Sequence, residues 1–173
     1  MTRYAVFLRA INTGRRRIKM ADLAAAYRDA GYADVATFLA SGNVVLSSAR
    51  PPDPAALSSV VAQSFGFESE AFVRTGHDLA AIIEHNPWPE PDALVEVSFL
   101  EREPLPDVAR ALEAVVEPPE ALAVRGAEAF FLREGKGIET LHKEATTAKM
   151  LGQVTTRRGM RTVRDMHERF FSD

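Results

Sequence analysis

Cysteine is absent from the 173 residues. That excludes disulfides, a thiol nucleophile, iron–sulfur clusters and cysteine zinc sites. Histidine is scarce: His77, His85, His142 and His167 are the four. No two stand at i, i+4 spacing and no His-Glu-x-x-His occurs, so neither a metal nor a cofactor is expected. Apolar runs are short, and none approaches the roughly 20 residues that span a bilayer. The N-terminal run Tyr4-Ala5-Val6-Phe7-Leu8 is ended by Arg9. It reads as a strand and not a leader, so the expectation is a cytoplasmic protein with no membrane partner. Nucleophile elbows of the Gly-x-Ser-x-Gly type and Walker loops are missing too. Aromatic residues make up only 8%. The segment Val44-Val45-Leu46-Ser47-Ser48 has none, and the RNP1 pattern is absent, which disfavours nucleic acid as a partner.

Acidic residues are missing from two stretches. Residues 1–20 hold Arg3, Arg9, Arg15, Arg16, Arg17 and Lys19 without one acid. Residues 149–164 hold Lys149, Arg157, Arg158, Arg161 and Arg164, again without one. Between them, residues 84–120 carry ten acids against Arg102 and Arg110, so the net charge is only −3. Basic blocks are ordinarily solvated faces, but such faces mix signs. Two acid-free blocks therefore weaken that reading in favour of a phosphate, carboxylate or nucleic-acid site.

Enough apolar sequence is present for a core: the hydrophobic fraction is 46%. The periodicity predicts a strand over 3–10 with apolar residues on both faces, hence a sheet covered on both sides. A polar loop over 11–19 precedes a helix over 20–30 that stops at Gly31. Strands over 35–39 and from Val44 flank the turn Ser41-Gly42-Asn43. Asp53-Pro54 opens a helix that ends at Gly66, and a strand follows over 68–74. The order β-α-β-β-α-β is that of the ferredoxin-like split βαβ plait. The second half is related but less regular. Thr75 and Asp78 make a capping box for a helix to 85, which Asn86-Pro87-Trp88-Pro89 breaks. A strand over 94–100, a helix from Pro106 and a hairpin over 122–132 follow. Gly135 and Gly137 mark a loop. Two helices close the chain, over 141–151 and 163–171, the second with Thr162 and Asp165 as its capping box. No internal repeat is visible. The expected fold is α+β: a ferredoxin-like subdomain over 1–75 and a second packed α+β subdomain over 76–173.

The loop over 9–19 lies between a strand and a helix, where unpaired helical N–H groups favour an anion. Gly14 permits close backbone approach, and Asn12 and Thr13 add polar groups. Asn43, in the turn with Ser41, lies beside the end of the first strand. Two βαβ crossovers are taken to make the first and fourth strands a parallel pair with Arg9 and Arg74 at their C-terminal ends, so Arg9, Asn12, Asn43 and Arg74 are expected to line one cleft. Gly14, Lys19 and Ser41 complete the N-terminal candidate set, and Arg157 and Arg161 represent the C-terminal basic block. No catalytic residue stands out.

Arg9-Ala10-Ile11-Asn12-Thr13-Gly14 followed by Ile18-Lys19-Met20 resembles the pattern Arg-Gly-Ile-Asn-x-Gly…Val-Lys-Met of a bacterial family, domain of unknown function 1697. Ser41-Gly42-Asn43-Val44-Val45, Val73-Arg74-Thr75 and Asn86-Pro87-Trp88 resemble its further motifs, in order. Arg15 stands where family members commonly have a second Gly. The segment 135–162 departs more, keeping Gly135, Gly137, the outer Thr155 and Thr162, and one Arg of the family's pattern. The resemblance implies a two-subdomain α+β fold with a ferredoxin-like plait, and no established activity. Three functions stay open, in this order: binding of, or chemistry on, a small anionic ligand at the basic loop; a protein–protein or homo-oligomer module; a nucleic-acid-binding module.

Overall fold

The computed structural model describes residues 1–88, 94–133 and 144–172. Its elements in chain order are β1 (Thr2–Leu8), α1 (Met20–Asp29), β2 (Ala33–Phe38), β3 (Asn43–Ser48), α2 (Pro54–Phe65), β4 (Ala71–Thr75) and α3 (Gly76–Glu84). Then come β5 (Val95–Leu100), α4 (Pro106–Glu113), β6 (Ala121–Arg125), β7 (Glu128–Leu132), α5 (Glu144–Leu151), β8 (Thr155–Gly159) and α6 (Met160–Phe170). The loop with Gly135 and Gly137, the helix start expected at 141, His142, Lys143 and Pro89 lie outside the described residues.

The fold is α+β with two four-stranded sheets. The first has the order β2-β3-β1-β4 and the second β6-β7-β5-β8, which is the same plait order twice. Sequence periodicity shows the plait in the first half only. The reason is β8: Thr155-Thr156-Arg157-Arg158-Gly159 has no apolar alternation and reads as a basic surface block. Its pairing comes from β5, opposite residues 155–159. The last helix accordingly starts at Met160 and not after Thr162. The Thr162–Asp165 capping box is corrected: Thr162 is inside α6, whose buried residues are Met160, Val163 and Met166.

Residues 1–78 with 168–173 form one compact unit, and residues 79–167 another. In the first unit, α1 and α2 cover one face of the sheet. Tyr4, Val6 and Leu8 of β1 pack there with Leu23 and Tyr27 of α1 and Leu57 and Val61 of α2. Burying such a side chain contributes about 1.5–3 kcal/mol. Ala5 and Phe7, on the opposite face of β1, are fully buried as well, as the apolar pattern on both faces predicts. Helix boundaries follow local chemistry. The Asp53 carboxylate accepts from the Ala55 N–H with Pro54 in the first turn, which starts α2. At α3, Thr75 Oγ1 accepts from the Asp78 N–H while Asp78 Oδ2 accepts from the Thr75 N–H, a reciprocal box.

Tyr27 is fully buried and its hydroxyl donates to the Leu57 carbonyl, 3.1 Å away. Burial, and secondarily the neighbouring Tyr32, push its ionisation well above the ordinary phenol value of 10.0. The unfolded chain therefore loses this proton first, and stability falls as the pH rises above 10. In an alkaline titration followed by tyrosinate absorbance and far-ultraviolet circular dichroism, Tyr27 should ionise only as the secondary structure collapses. Ionisation of all three tyrosines in a chain with native dichroism would contradict this.

Candidate functional site

The β1–α1 loop is built from inside. Ile11 and Ile18 are buried and anchor it at both ends. Ala10, Asn12 and Gly14 all have positive φ, 56°, 55° and 57°, with Ile11 and Thr13 between them at negative φ. The Asn12 side chain holds this path. Its Nδ2 donates to the carbonyls of Ile18 (3.1 Å) and Ala40 (3.0 Å), and its Oδ1 accepts from the Ile18 N–H (2.6 Å). Asn43 is fully buried and its Nδ2 donates to the Phe38 carbonyl (2.9 Å) and to Ser41 Oγ (3.0 Å). The Leu8 N–H donates to the Gly42 carbonyl, which joins the turn to the end of β1. Further along, Asn86 accepts from the Trp88 N–H and donates to its carbonyl. These three are the chain's full complement of Asn, one in each of three sequence motifs. Asn12 and Asn86 spend their amides on loop backbone, and Asn43 on the Phe38 carbonyl and the Ser41 hydroxyl.

Arg9, Asn12, Gly14, Lys19, Ser41 and Asn43 thus belong to one end of the first sheet. Arg74 does not. β1 pairs β4 antiparallel, with Ala5 opposite Arg74, so the expected parallel pair is corrected. The chain enters β4 beside the end of β1, which puts Glu70 and not Arg74 next to Arg9. Four residues of strand separate Arg9 from the position opposite Arg74, roughly 13 Å. Arg9 Nη1 lies 3.3 Å from the Glu70 carboxylate, with both side chains partly exposed. Such a pair contributes at most about 1 kcal/mol. Glu70, Glu68, Ser58, Ser59, Ala62 and Ser69 line a pocket of about 160 Å³ on that side, whose acids repel an anion.

The basic side of the loop is elsewhere. Arg15, Arg17 and Lys19 are exposed. Arg16 stacks on Phe67, 4.3 Å from its centroid, and Arg17 Nη1 donates to the loop's own Gly14 carbonyl at 3.0 Å. Lys19 occupies the N-cap of α1 and makes no side-chain capping bond. Lysine has no acceptor, so it leaves the first-turn N–H groups without a side-chain oxygen.

The two C-terminal candidates part company. Arg161 lies on α6, is exposed, and pairs loosely with Asp165 at 3.8 Å. Arg157 lies on β8 with a side chain only 12% exposed, among Ser98, Thr147, Glu96 and Phe131. Those neighbours were invisible to sequence reasoning. Glu96 and Ser98 alternate with Val95, Val97 and Phe99, which reads as a solvent face; Ser98 is fully buried. Among the described residues, no three His, Asp or Glu side chains group closely enough to hold a metal ion. No helix among them is long and apolar enough to cross a membrane.

The family model for proteins of unknown function, DUF1697, matches residues 1–130. The structure of a conserved bacterial protein of Streptococcus pneumoniae, SP0830, is similar over 99% of each chain, with a TM-score of 0.75 and 23% sequence identity. At that identity the likeness is one of fold. No curated protein matches the chain.

Proposed function

The chain belongs to the DUF1697 family of proteins of unknown function, and we propose that it binds a small anionic ligand, through a phosphate or carboxylate group, on the β1–α1 loop. The observation that carries this reading is the alternation of positive φ at Ala10, Asn12 and Gly14 with negative φ at Ile11 and Thr13. Alternation of this kind turns successive backbone N–H groups toward one side, and such nests are anion-binding concavities. Arg15, Arg17 and Lys19 supply charge around it, and the uncapped start of α1 adds a positive helix end. Asn12 and Asn43 serve as braces in this reading, and Arg9 holds the loop's flank through Glu70. Nucleic acid is left out of the proposal because the central strands β1 and β3 are buried. A plait that stacks bases presents those strands to solvent.

The test is a titration of the nitrogen-15-labelled full chain with inorganic phosphate at constant ionic strength. The amide resonances of Ala10 to Arg15 should move saturably, in the parent and in Arg74→Ala alike. In the double variant Arg15→Ala, Lys19→Ala the affinity should fall at least tenfold, about 1.4 kcal/mol. Loop amides that stay still, or a double variant that titrates like the parent, would sink the proposal.

A further inference from the structure

The second sheet ends in β6, which stands last in the order β6-β7-β5-β8. A terminal strand turns alternate backbone N–H and C=O groups away from its neighbour, where another strand can take them. Which residues do so follows from the turn. Arg125 and Glu128 face each other across the two-residue turn Gly126-Ala127, with Gly126 at φ of 58°. Residues that flank such a turn form a hydrogen-bonded pair, and hydrogen-bonded pairs alternate along the ladder. Arg125, Ala123 and Ala121 therefore bond to β7, and Val124 and Leu122 turn their backbone groups to the open edge.

At Val124 the edge is already taken, by two side chains. The Val124 N–H donates to Glu113 Oε1 at 2.7 Å, and the Val124 carbonyl accepts from Arg125 Nη1 at 2.8 Å. Glu113 is the last residue of α4, and its Oε1 lies 3.7 Å from Arg125 Nη1. The carboxylate thus stands where a partner strand would put its carbonyl, and the guanidinium where that strand would put its N–H. This clasp covers one residue of the edge. Its side chains are 33% and 54% exposed, and so solvated an ion pair is weak enough for a strand to displace.

We propose that the β6 edge is a self-association surface: it pairs antiparallel with β6 of a second copy, and the Glu113–Arg125 clasp holds it shut in the single chain. The edge is complementary to itself. A two-fold axis at Ala123 sets Leu122 against Val124 of the second copy, and Val124 against its Leu122, both as hydrogen-bonded pairs. Ala123 then faces its own counterpart in a non-hydrogen-bonded pair, where side chains come closest and a small one fits. Arg125 faces Ala121, so no like charges stand opposite each other. The two sheets become one, with both α4 helices on the same face, because Leu122 and Val124 pack with Leu112 of α4. Leu105 and Val115, the exposed large apolar residues described in this unit, flank that helix and give a second copy apolar surface to cover. The proposal does not rest on the loop reading, and the two fail separately.

The test is sedimentation equilibrium of the full chain over a range of protein concentrations. Glu113→Ala and Arg125→Ala each open the clasp, and each should tighten dimerisation at least about tenfold over the parent. In the Glu113→Ala dimer the amides of Leu122 and Val124 should exchange with deuterium more slowly as the protein concentration rises. The double variant Glu113→Ala, Val124→Pro removes the outward N–H and spares the β7 ladder, since proline is tolerated on an edge strand whose N–H faces away from its neighbour. It should return the chain to a monomer with native circular dichroism. Should that variant unfold, the amide exchange of the Glu113→Ala dimer decides alone. A Glu113→Ala chain no more dimeric than the parent overturns the proposal. So does a dimer whose Leu122 and Val124 amides exchange at one rate at every concentration, the mark of association elsewhere.

Discussion

Replacement of Gly42 by Ala should destabilise the chain by roughly 2–4 kcal/mol, read as a shift of the urea midpoint at unchanged slope. Two costs combine. Gly42 has φ of 79°, where an L side chain is strained. A Cβ there would lie 2.6 Å from Ile11 Cγ1, 2.8 Å from Ile11 Cβ and 3.2 Å from Leu8 Cβ. Ile11 and Leu8 are buried and cannot swing away. The clash is therefore between the first loop and the β2–β3 turn, two segments 31 residues apart in sequence. Trimming Ile11 to Ala should be less harmful in the Gly42→Ala background than alone, because the larger side chain is then a liability. Strict additivity of the two substitutions would count against this account.

Asn12→Ala should cost roughly 2–3 kcal/mol. The substitution removes both donors to Ile18 and Ala40 carbonyls and the acceptor of the Ile18 N–H. It also leaves Ala at φ of 55°, a conformation that Asn tolerates better. The backbone share of the cost can be separated. Asn12→Gly deletes still more of the side chain yet has no left-handed penalty, so it should be the milder variant. Asn12→Asp retains the acceptor for Ile18 but sets an acceptor-only carboxylate oxygen against the Ile18 and Ala40 carbonyls, so it should be no milder than Ala. Denaturation midpoints in which Ala is the best tolerated of the three would refute the role assigned to this loop path.

The parts of the fold legible in the sequence are those whose cause is local. Apolar residues on both sides of β1 announce a doubly covered strand. Asp53-Pro54 announces α2, and Thr75 with Asp78 announces α3, because a capping bond spans three residues and needs no distant partner. Strand β8 was not legible. Its residues are chiefly Thr and Arg, and only the β5 ladder and the cover of α5 make them a strand. That omission hid the second plait, and with it the repetition of one sheet order in both halves.

The candidate site divides in the same way. Charge sorting and the Asn, Gly and Arg motifs mark the first loop as unusual, and the split βαβ order sets the start of β3, with Asn43, beside the end of β1, with Arg9. Which of the named residues brace and which face solvent is a tertiary outcome. Asn12 and Asn43 find their acceptors in Ile18, Ala40 and Phe38, carbonyls freed by the turns around them. Arg74 leaves the group because strand direction follows from the path through α2, and an antiparallel β4 carries its end away from that of β1. Arg157 and Arg161, four residues apart in one basic block, separate into an interior guanidinium and a solvated one because one is on a covered sheet face and the other on a helix surface. Composition and spacing count charges; desolvation and the neighbours that long-range pairing brings decide what each charge can do.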